Sequence, residues 1–252
     1  MAENKIPTVT AHAGCDGTAA NTVESALKGL GLGADLVEVD VRADPDGALF
    51  LCHNESVPLL TGEVLPVSGL RVAELRALDR EGRIRFDKPG GRITTFEELA
   101  AAVAPTGGGI NLDLKDDRCV ERIGPAVRAA GLEGRVVVTG CEADRVPAMR
   151  RASPGLPVYL NTDFGRTPPE ALSRSRLEDE CRMAADAGCP GLNIHYRFCT
   201  PLLVESARAH GLRVSVWTVG PEAGFRRFLE LGVDNITTRH VAELLDFLGR
   251  RP

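Results

Sequence analysis

Two carboxylates alternate with valines in the stretch DLVEVDV (35–41): Glu38 and Asp40 are interleaved with Val37, Val39 and Val41. In an extended strand successive side chains point to opposite faces, so the valines share one face and the acids the other. Like charges side by side on the inner face of an apolar strand repel, and removing them from water is costly. A divalent cation answers both problems. The stretch INLDLK (110–115) repeats the device, with Ile110, Leu112 and Leu114 on one face and Asn111, Asp113 and Lys115 on the other. Asp113 is therefore a candidate third ligand for the same ion. An all-oxygen set suits Mg²⁺ or Ca²⁺ better than zinc, and ligand type does not separate those two. The blander alternative is a set of solvated carboxylates paired with arginines at a rim; repetition of the pattern on two strands favours the cation.

Histidines recur at the ends of extended runs. His12 closes TVTAH (8–12), His53 closes ALFLCH (48–53) on the face of Leu49 and Leu51, and His195 lies in GLNIHY (191–196) with Asn193 on its face. One such histidine is as consistent with a satisfied rim side chain. Three of five in equivalent places make a set of candidates for proton transfer. His210 and His240 are given no role. Seven cysteines are scattered without a CxxC pair, which argues against a zinc site or a disulfide framework and fits a reducing, cytoplasmic setting. Cys15 and Cys141 follow extended runs and read as small packing residues.

What must position these side chains is an alternation of strands and helices. Extended runs fall at 8–12, 35–41, 110–115, 135–140, 157–162, 191–196, 213–219 and 234–238, with the extra run 48–53 after the turn DPDG. Between them lie segments with helical periodicity and stop signals. NTVESALKGLGLG has Asn21 as a candidate N-cap with Glu24 three residues on, and TPLLVESARAHG has Thr200 as cap, Pro201 in the first turn and Gly211 past the end. Eight strand–helix units predict a single closed (β/α)8 TIM barrel over 1–252, whose active face is the carboxyl end of the strands. An open doubly wound sheet is the alternative, weakened by the lack of a GxGxxG after the first strand. Residues 55–92 form no barrel unit and read as a short insertion near the mouth, with one helical piece, LRVAELRALD.

The bulk numbers narrow the class. The formal net charge is −5, which argues against a dedicated nucleic-acid partner. No stretch approaches the ~20 apolar residues that cross a bilayer, and aromatics are scarce, so no stable membrane insertion is expected. The opening MAENKIPTVT has no basic segment followed by an apolar one, against a cleaved signal peptide. Oligomeric state stays open.

The blocks AHAGCDGTAANTVESA, GADLVEVDVRADPDGALFLCHNE, INLDLK, RVSVWTV and LELGVDNITT, taken in order, resemble the glycerophosphodiester phosphodiesterase family. The resemblance spans almost the whole chain. It implies a (β/α)8 barrel with a small insertion after the second strand, and a phosphoric diester hydrolase using one divalent cation and two histidines on a small phosphoester. By position it implies His12 and His53 as the acid/base pair; Glu38, Asp40 and Asp113 as metal ligands; Lys115 against the phosphate; and Trp217 as an aromatic wall of the pocket, while Asn21, Asn54 and His195 are further candidates for contact with substrate. The chain departs from the family pattern in places. His-Ala-Gly replaces His-Arg-Gly at 12–14, so the phosphate-gripping arginine is missing at Ala13, and Lys115, Arg42 or Arg239 are the candidates to replace it. Asn54 follows His53 where the family has aspartate, Asp113 replaces glutamate, and Arg239 follows the last threonine in place of aspartate. Two further readings stay open: a cyclising phosphoester lyase or cyclase on a specialised, diphosphate-like substrate, and an inactive cation-binding barrel acting as a binding protein.

Overall fold

The computed structural model describes residues 6–250 except 163 and 166. In chain order the elements are β1 (Thr8–Ala11), α1 (Val23–Gly31), β2 (Leu36–Ala43), β3 (Leu49–Leu51), β4 (Ser56–Pro58), β5 (Val64–Pro66), α2 (Val72–Arg80) and α3 (Phe96–Val103). There follow β6 (Gly109–Leu114), α4 (Val120–Ala129), β7 (Val136–Cys141), α5 (Val146–Ala152), β8 (Val158–Asn161) and α6 (Arg174–Asp186). The last units are β9 (Gly191–His195), α7 (Pro201–Ala209), β10 (Arg213–Trp217), α8 (Phe225–Leu231), β11 (Asn235–Thr238) and α9 (Val241–Phe247). Eight parallel strands run β1-β11-β10-β9-β8-β7-β6-β2, and a β1–β2 pairing closes the cylinder. The expected (β/α)8 barrel is therefore present. β3 is an antiparallel addition to β2, with Val41 opposite Leu51.

The alternation in β2 sorts as the sequence requires. Val37, Val39 and Val41 are at most 2% exposed and belong to the apolar layer between strands and helices. Each buried valine contributes roughly 1.5–3 kcal/mol, and that layer fixes which face the acids take. The barrel interior is not apolar. The Thr10 hydroxyl donates to Asn235, whose amide donates to Ser215; Ser215 donates to Asn193, and Asn193 to Asn161, over 2.7–3.1 Å. Across the barrel Thr139 donates to Asn111. This belt satisfies polar groups that would otherwise be buried unpaired.

Helix starts follow capping chemistry. Thr95 and Glu98 form a reciprocal capping box on α3, and Thr200 caps α7 ahead of Pro201 as expected. The cap of α1 falls on Thr22, whose hydroxyl accepts from Ser25 N, not on Asn21. Asn21 has a left-handed φ of 58° and has been recruited to β2 instead. Segment 55–92 contains the β4–β5 hairpin and α2. Val57, Leu59, Val67, Val72, Leu75 and Ile84 pack there around Phe50 of β3.

Gly29 on α1 permits the close approach of that helix to the barrel. A Cβ there would overlap Ala11 and crowd Cys15 Sγ at 3.4 Å, whereas one at Gly31 meets nothing within 4 Å. Gly29→Ala should destabilise the fold by about 1–3 kcal/mol, lowering Tm by about 2–4 °C per kcal/mol in thermal unfolding. Gly31→Ala should leave Tm unchanged or raise it slightly.

Candidate active site

The parallel register of β2 and β6 sets Asp40 beside Asp113 and Glu38 beside Asn111. Glu38, Asp40 and Asp113 each offer an oxygen, and these atoms lie within 4.8 Å of one another. They converge at the carboxyl ends of the strands, as the alternation of β2 and β6 predicts. Lys115, one turn of pleat beyond Asp113, returns its ammonium to Asp40 at 3.0 Å and Asp113 at 2.9 Å. With all three carboxylates ionised, they and the one ammonium would carry a formal charge of −2 where Glu38 and Asp40 are buried and Asp113 and Lys115 half-buried. Burial, with the charges of Asp40 and Asp113 adding, holds Glu38 well above the usual carboxylate range. Asp113 is likewise raised by burial, against the pull of Lys115. Burial works against the Lys115 ammonium, but Asp113 and Asp40 outweigh it and push it up to about 12. Among the described residues Asp113 Oδ1 is buried without a hydrogen-bond partner, so the hard-oxygen set has the spare acceptor that a divalent cation would satisfy.

The carboxylates are held from behind. Asn21 donates its amide to Asp40 Oδ2 at 2.8 Å and accepts from Asp40 N at 2.9 Å. Glu38 Oε2 accepts from Ala13 N at 3.0 Å. Gly140 has φ +72°, and a Cβ there would strike Asp113 Oδ1 and lie 2.5 Å from Leu114 O, so only glycine lets β7 pass this close.

His12 stands just past β1. Its Nδ1 donates to Ala13 O at 3.0 Å and lies 3.6 Å from Glu38 Oε2. Burial and then the Arg239 cation push its imidazole down to about 4. His53 sits two residues beyond β3, which ends earlier than the expected 48–53 run. Its Nδ1 donates to Asn54 Oδ1 at 2.9 Å, and its carbonyl accepts from Arg42 Nη2 at 2.9 Å. In both imidazoles the oxygen at Nδ1 fixes that nitrogen as the donor, which frees Nε2 for exchange with a ligand. Both histidines line a cavity of about 350 Å³ with the three carboxylates, Lys115 and Trp217. The Trp217 indole nitrogen is buried without a partner.

His195 is not among the residues lining that cavity. Its ring meets Trp217 edge-on with centroids 5.2 Å apart, in register with it on β9 and β10. Asn54 is placed against His53. Cys15 and Cys141 are fully buried, and burial raises both thiols, Cys141 to about 12, as packing residues require. Residues that the sequence reading passed over also line the site: Glu142, Arg145 and Asn161. Arg145 donates to the carbonyls of Leu114 and Gly140 and pairs with Asp117 at 2.7 Å. The signal for Glu142 and Arg145 was their position just after a barrel strand.

The three candidates for the missing arginine separate. Lys115 is held between two aspartates. Arg42 is buried and spends Nη2 on His53 O. Arg239 is exposed, reaches back so that Nε donates to Ala13 O at 3.3 Å, and lines the cavity beside Ala13.

Fold and site together define a (β/α)8 barrel of the phosphodiesterase type, with an acidic cluster flanked by histidines at its mouth. The glycerophosphoryl diester phosphodiesterase family model matches residues 12–243, and the chain belongs to that family. A glycerophosphodiester phosphodiesterase of Caldanaerobacter subterraneus subsp. tengcongensis is 24% identical over 235 residues, 91% of this chain and 92% of the relative. The crystal structure of a Thermotoga maritima glycerophosphodiester phosphodiesterase superposes with a TM-score of 0.74 at 21% identity, covering 96% of this chain and 99% of that one. An Oleispira antarctica phosphodiesterase solved with its product sn-glycerol-3-phosphate does so with 0.73 at 22% identity, covering 97% of each chain. Among the described residues no helix is long and apolar enough to cross a membrane.

Asn21→Gly keeps the left-handed backbone available and removes both hydrogen bonds to Asp40. It should cost about 1–3 kcal/mol, read as a lower urea midpoint with an unchanged m-value.

Proposed function

We propose that the protein is a divalent-cation-dependent phosphodiesterase that cleaves glycerophosphodiesters with His12 and His53 as its acid/base pair. The observation that carries this reading is the convergence of three carboxylates, Glu38, Asp40 and Asp113, on one place with a single ammonium, Lys115, among them, with two imidazoles anchored at Nδ1 lining the same cavity. Glu38, Asp40 and Asp113 would hold the cation, either Mg²⁺ or Ca²⁺. When bound, such an ion neutralises charge on a phosphoryl oxygen and polarises phosphorus.

The chain's own groups do the rest. His12 is half-buried, and its lowered imidazole is neutral at physiological pH; its Nε2 is a base able to take a proton from an attacking hydroxyl. His53 is exposed beside the cavity; as the imidazolium, protonated on both nitrogens, it would deliver the Nε2 proton to the leaving oxygen and be left neutral with Nδ1 still donating to Asn54. The Nδ1 anchors, Ala13 O and Asn54 Oδ1, orient the rings and favour the imidazolium during transfer. Lys115 supplies a fixed positive charge to the phosphate while bridging the two aspartates. Trp217 walls the cavity and limits water entry from the β10 side, with His195 bracing its edge.

His12→Ala and His53→Ala should each lower kcat by about 10²–10⁴ for glycerol 3-phosphate release from glycerophosphoinositol or glycerophosphocholine, with unchanged far-UV circular dichroism. Turnover retained in the double variant would remove the two-histidine scheme. Phosphorus NMR of the products distinguishes glycerol 3-phosphate from a cyclic phosphate, which would instead mark a cyclising lyase.

Mg²⁺ or Ca²⁺ at 100-fold over Kd should stabilise the fold by about 2.7 kcal/mol, visible as a rise in Tm reversed by chelator. Asp113→Asn should abolish that rise. Absence of any cation-dependent shift, together with chelator-insensitive turnover, would count against the cation.

A further inference from the structure

Beside Ala13 lies a second cavity of about 360 Å³ that adjoins the acidic one, since His53 lines both. Its walls are the loop 13–21 and the insertion. Ala13 is 3% exposed and contributes one methyl group to the wall; a long side chain there would fill the space. The charged side chains lining it are Arg85, Lys88, Arg92 and Arg239 against the single carboxylate of Asp87, with His53 at the inner edge. None of the four cations lies within ion-pair distance of a carboxylate among the described residues. Arg239 is oriented by its bond to Ala13 O, which leaves both Nη groups unspent. Lys88 and Arg92 flank a tight turn closed by Gly91 N to Lys88 O at 3.2 Å, with the Phe86 ring packed on Gly91.

Three origins in sequence, the loop after β11, the 83–92 segment and an alanine at position 13, thus produce one cationic chamber next to the reacting centre. The volume is that of a small-molecule site, roughly 300–1,000 Å³. The lining does not fit a quaternary ammonium, which calls for an aromatic cage or carboxylates; here Phe86 and Asp87 are the sole aromatic ring and carboxylate in the wall. Arginine and lysine clusters of this kind match phosphate oxygens.

We propose that this chamber binds a second phosphate, so that the preferred substrates are glycerophosphodiesters whose alcohol half itself carries a phosphomonoester. This rests on the phosphodiesterase reading above and names its substrate class. The half of the ester on the His53 side of phosphorus enters the chamber, and its phosphate meets Arg239 and the insertion cations.

Glycerophosphoinositol 4-phosphate and glycerophosphoinositol differ by one phosphate group and test the idea. With Mg²⁺ or Ca²⁺, kcat/KM should favour the phosphorylated substrate by about tenfold or more, mainly through KM. The advantage should shrink in about 1 M salt, where the Debye length falls to about 3 Å. In the double variant Lys88→Glu, Arg92→Glu the ratio should fall toward one, and Lys88→Gln, Arg92→Gln should lie between. Equal kcat/KM for the two substrates in the wild-type protein, or a ratio indifferent to the charge reversal, overturns the chamber while leaving the phosphodiesterase reading intact. Should neither ester be cleaved, that reading fails, and calorimetric titration of the same pair still decides the chamber. Tighter binding of the phosphorylated compound, lost on charge reversal, upholds it; equal affinity overturns it.

Discussion

A buried charge imbalance is the constraint on which the rest of this structure depends. Asp40 and Asp113 sit side by side because β2 and β6 pair in register, and Glu38 joins them from the same face of β2. Carboxylates so placed repel and are poorly hydrated, a cost of several kcal/mol unless something opposite is held among them. Lys115 supplies part of the remedy within the chain. The remainder explains why so many neighbours are committed to this one place: Asn21 bonded twice to Asp40, the Ala13 amide on Glu38, and a glycine at 140 with no side chain to offer. Asn21 and the Ala13 amide hold carboxylate oxygens in position before any ligand arrives, and Gly140 leaves room for Asp113 Oδ1, which is how a preorganised polar site avoids rearranging around a ligand.

The apolar half of the barrel makes that concentration of charge tolerable. The valines of β2 and the leucines of β6 are sealed against the helices, so a one-residue slip in either strand would bury the acids in the apolar layer and expose the valines to the interior. The polar belt from Thr10 to Asn161 extends the argument below the site. Asparagine, serine and threonine on inward positions hydrogen-bond to each other round the barrel, giving the acidic cluster a floor of fixed dipoles.

How much of this was legible beforehand follows from distance along the chain. The alternation of Glu38 and Asp40 with valines, and its echo at Asp113, is local, and period two on an apolar strand leaves little freedom; strands and metal candidates were read from it directly. The positions of His12 and His53 at strand ends place them at the barrel mouth, and both line the acidic cavity there. Asn21 was misread as a helix cap because the capping signal is shared by two neighbours, and the competition between Asn21 and Thr22 is decided by a tertiary contact to Asp40, nineteen residues away. His195 was placed with the substrate-facing set on its alternation alone, whereas its packing against Trp217 turns on the shape of the β9–β10 edge. The chamber beside Ala13 was the least legible feature, since residues from 13, 85–92 and 239 meet there and no local pattern connects them.

That last point bears on how the barrel divides its labour. The acids, Lys115 and the histidines come from strands or the residues just after them, where backbone hydrogen bonds fix their positions. The chamber's cations come from the insertion and from the loop after β11, which lie outside the eight-stranded barrel ladder and can change length and charge without disturbing the cylinder. An alanine at position 13 is not simply a loss of charge in this setting. It lets a cation from the opposite side of the loop, Arg239, occupy the neighbourhood while its guanidinium faces a cavity. Burial first, and after it the Arg239 cation, lower the His12 imidazole against the opposing pull of Asp40.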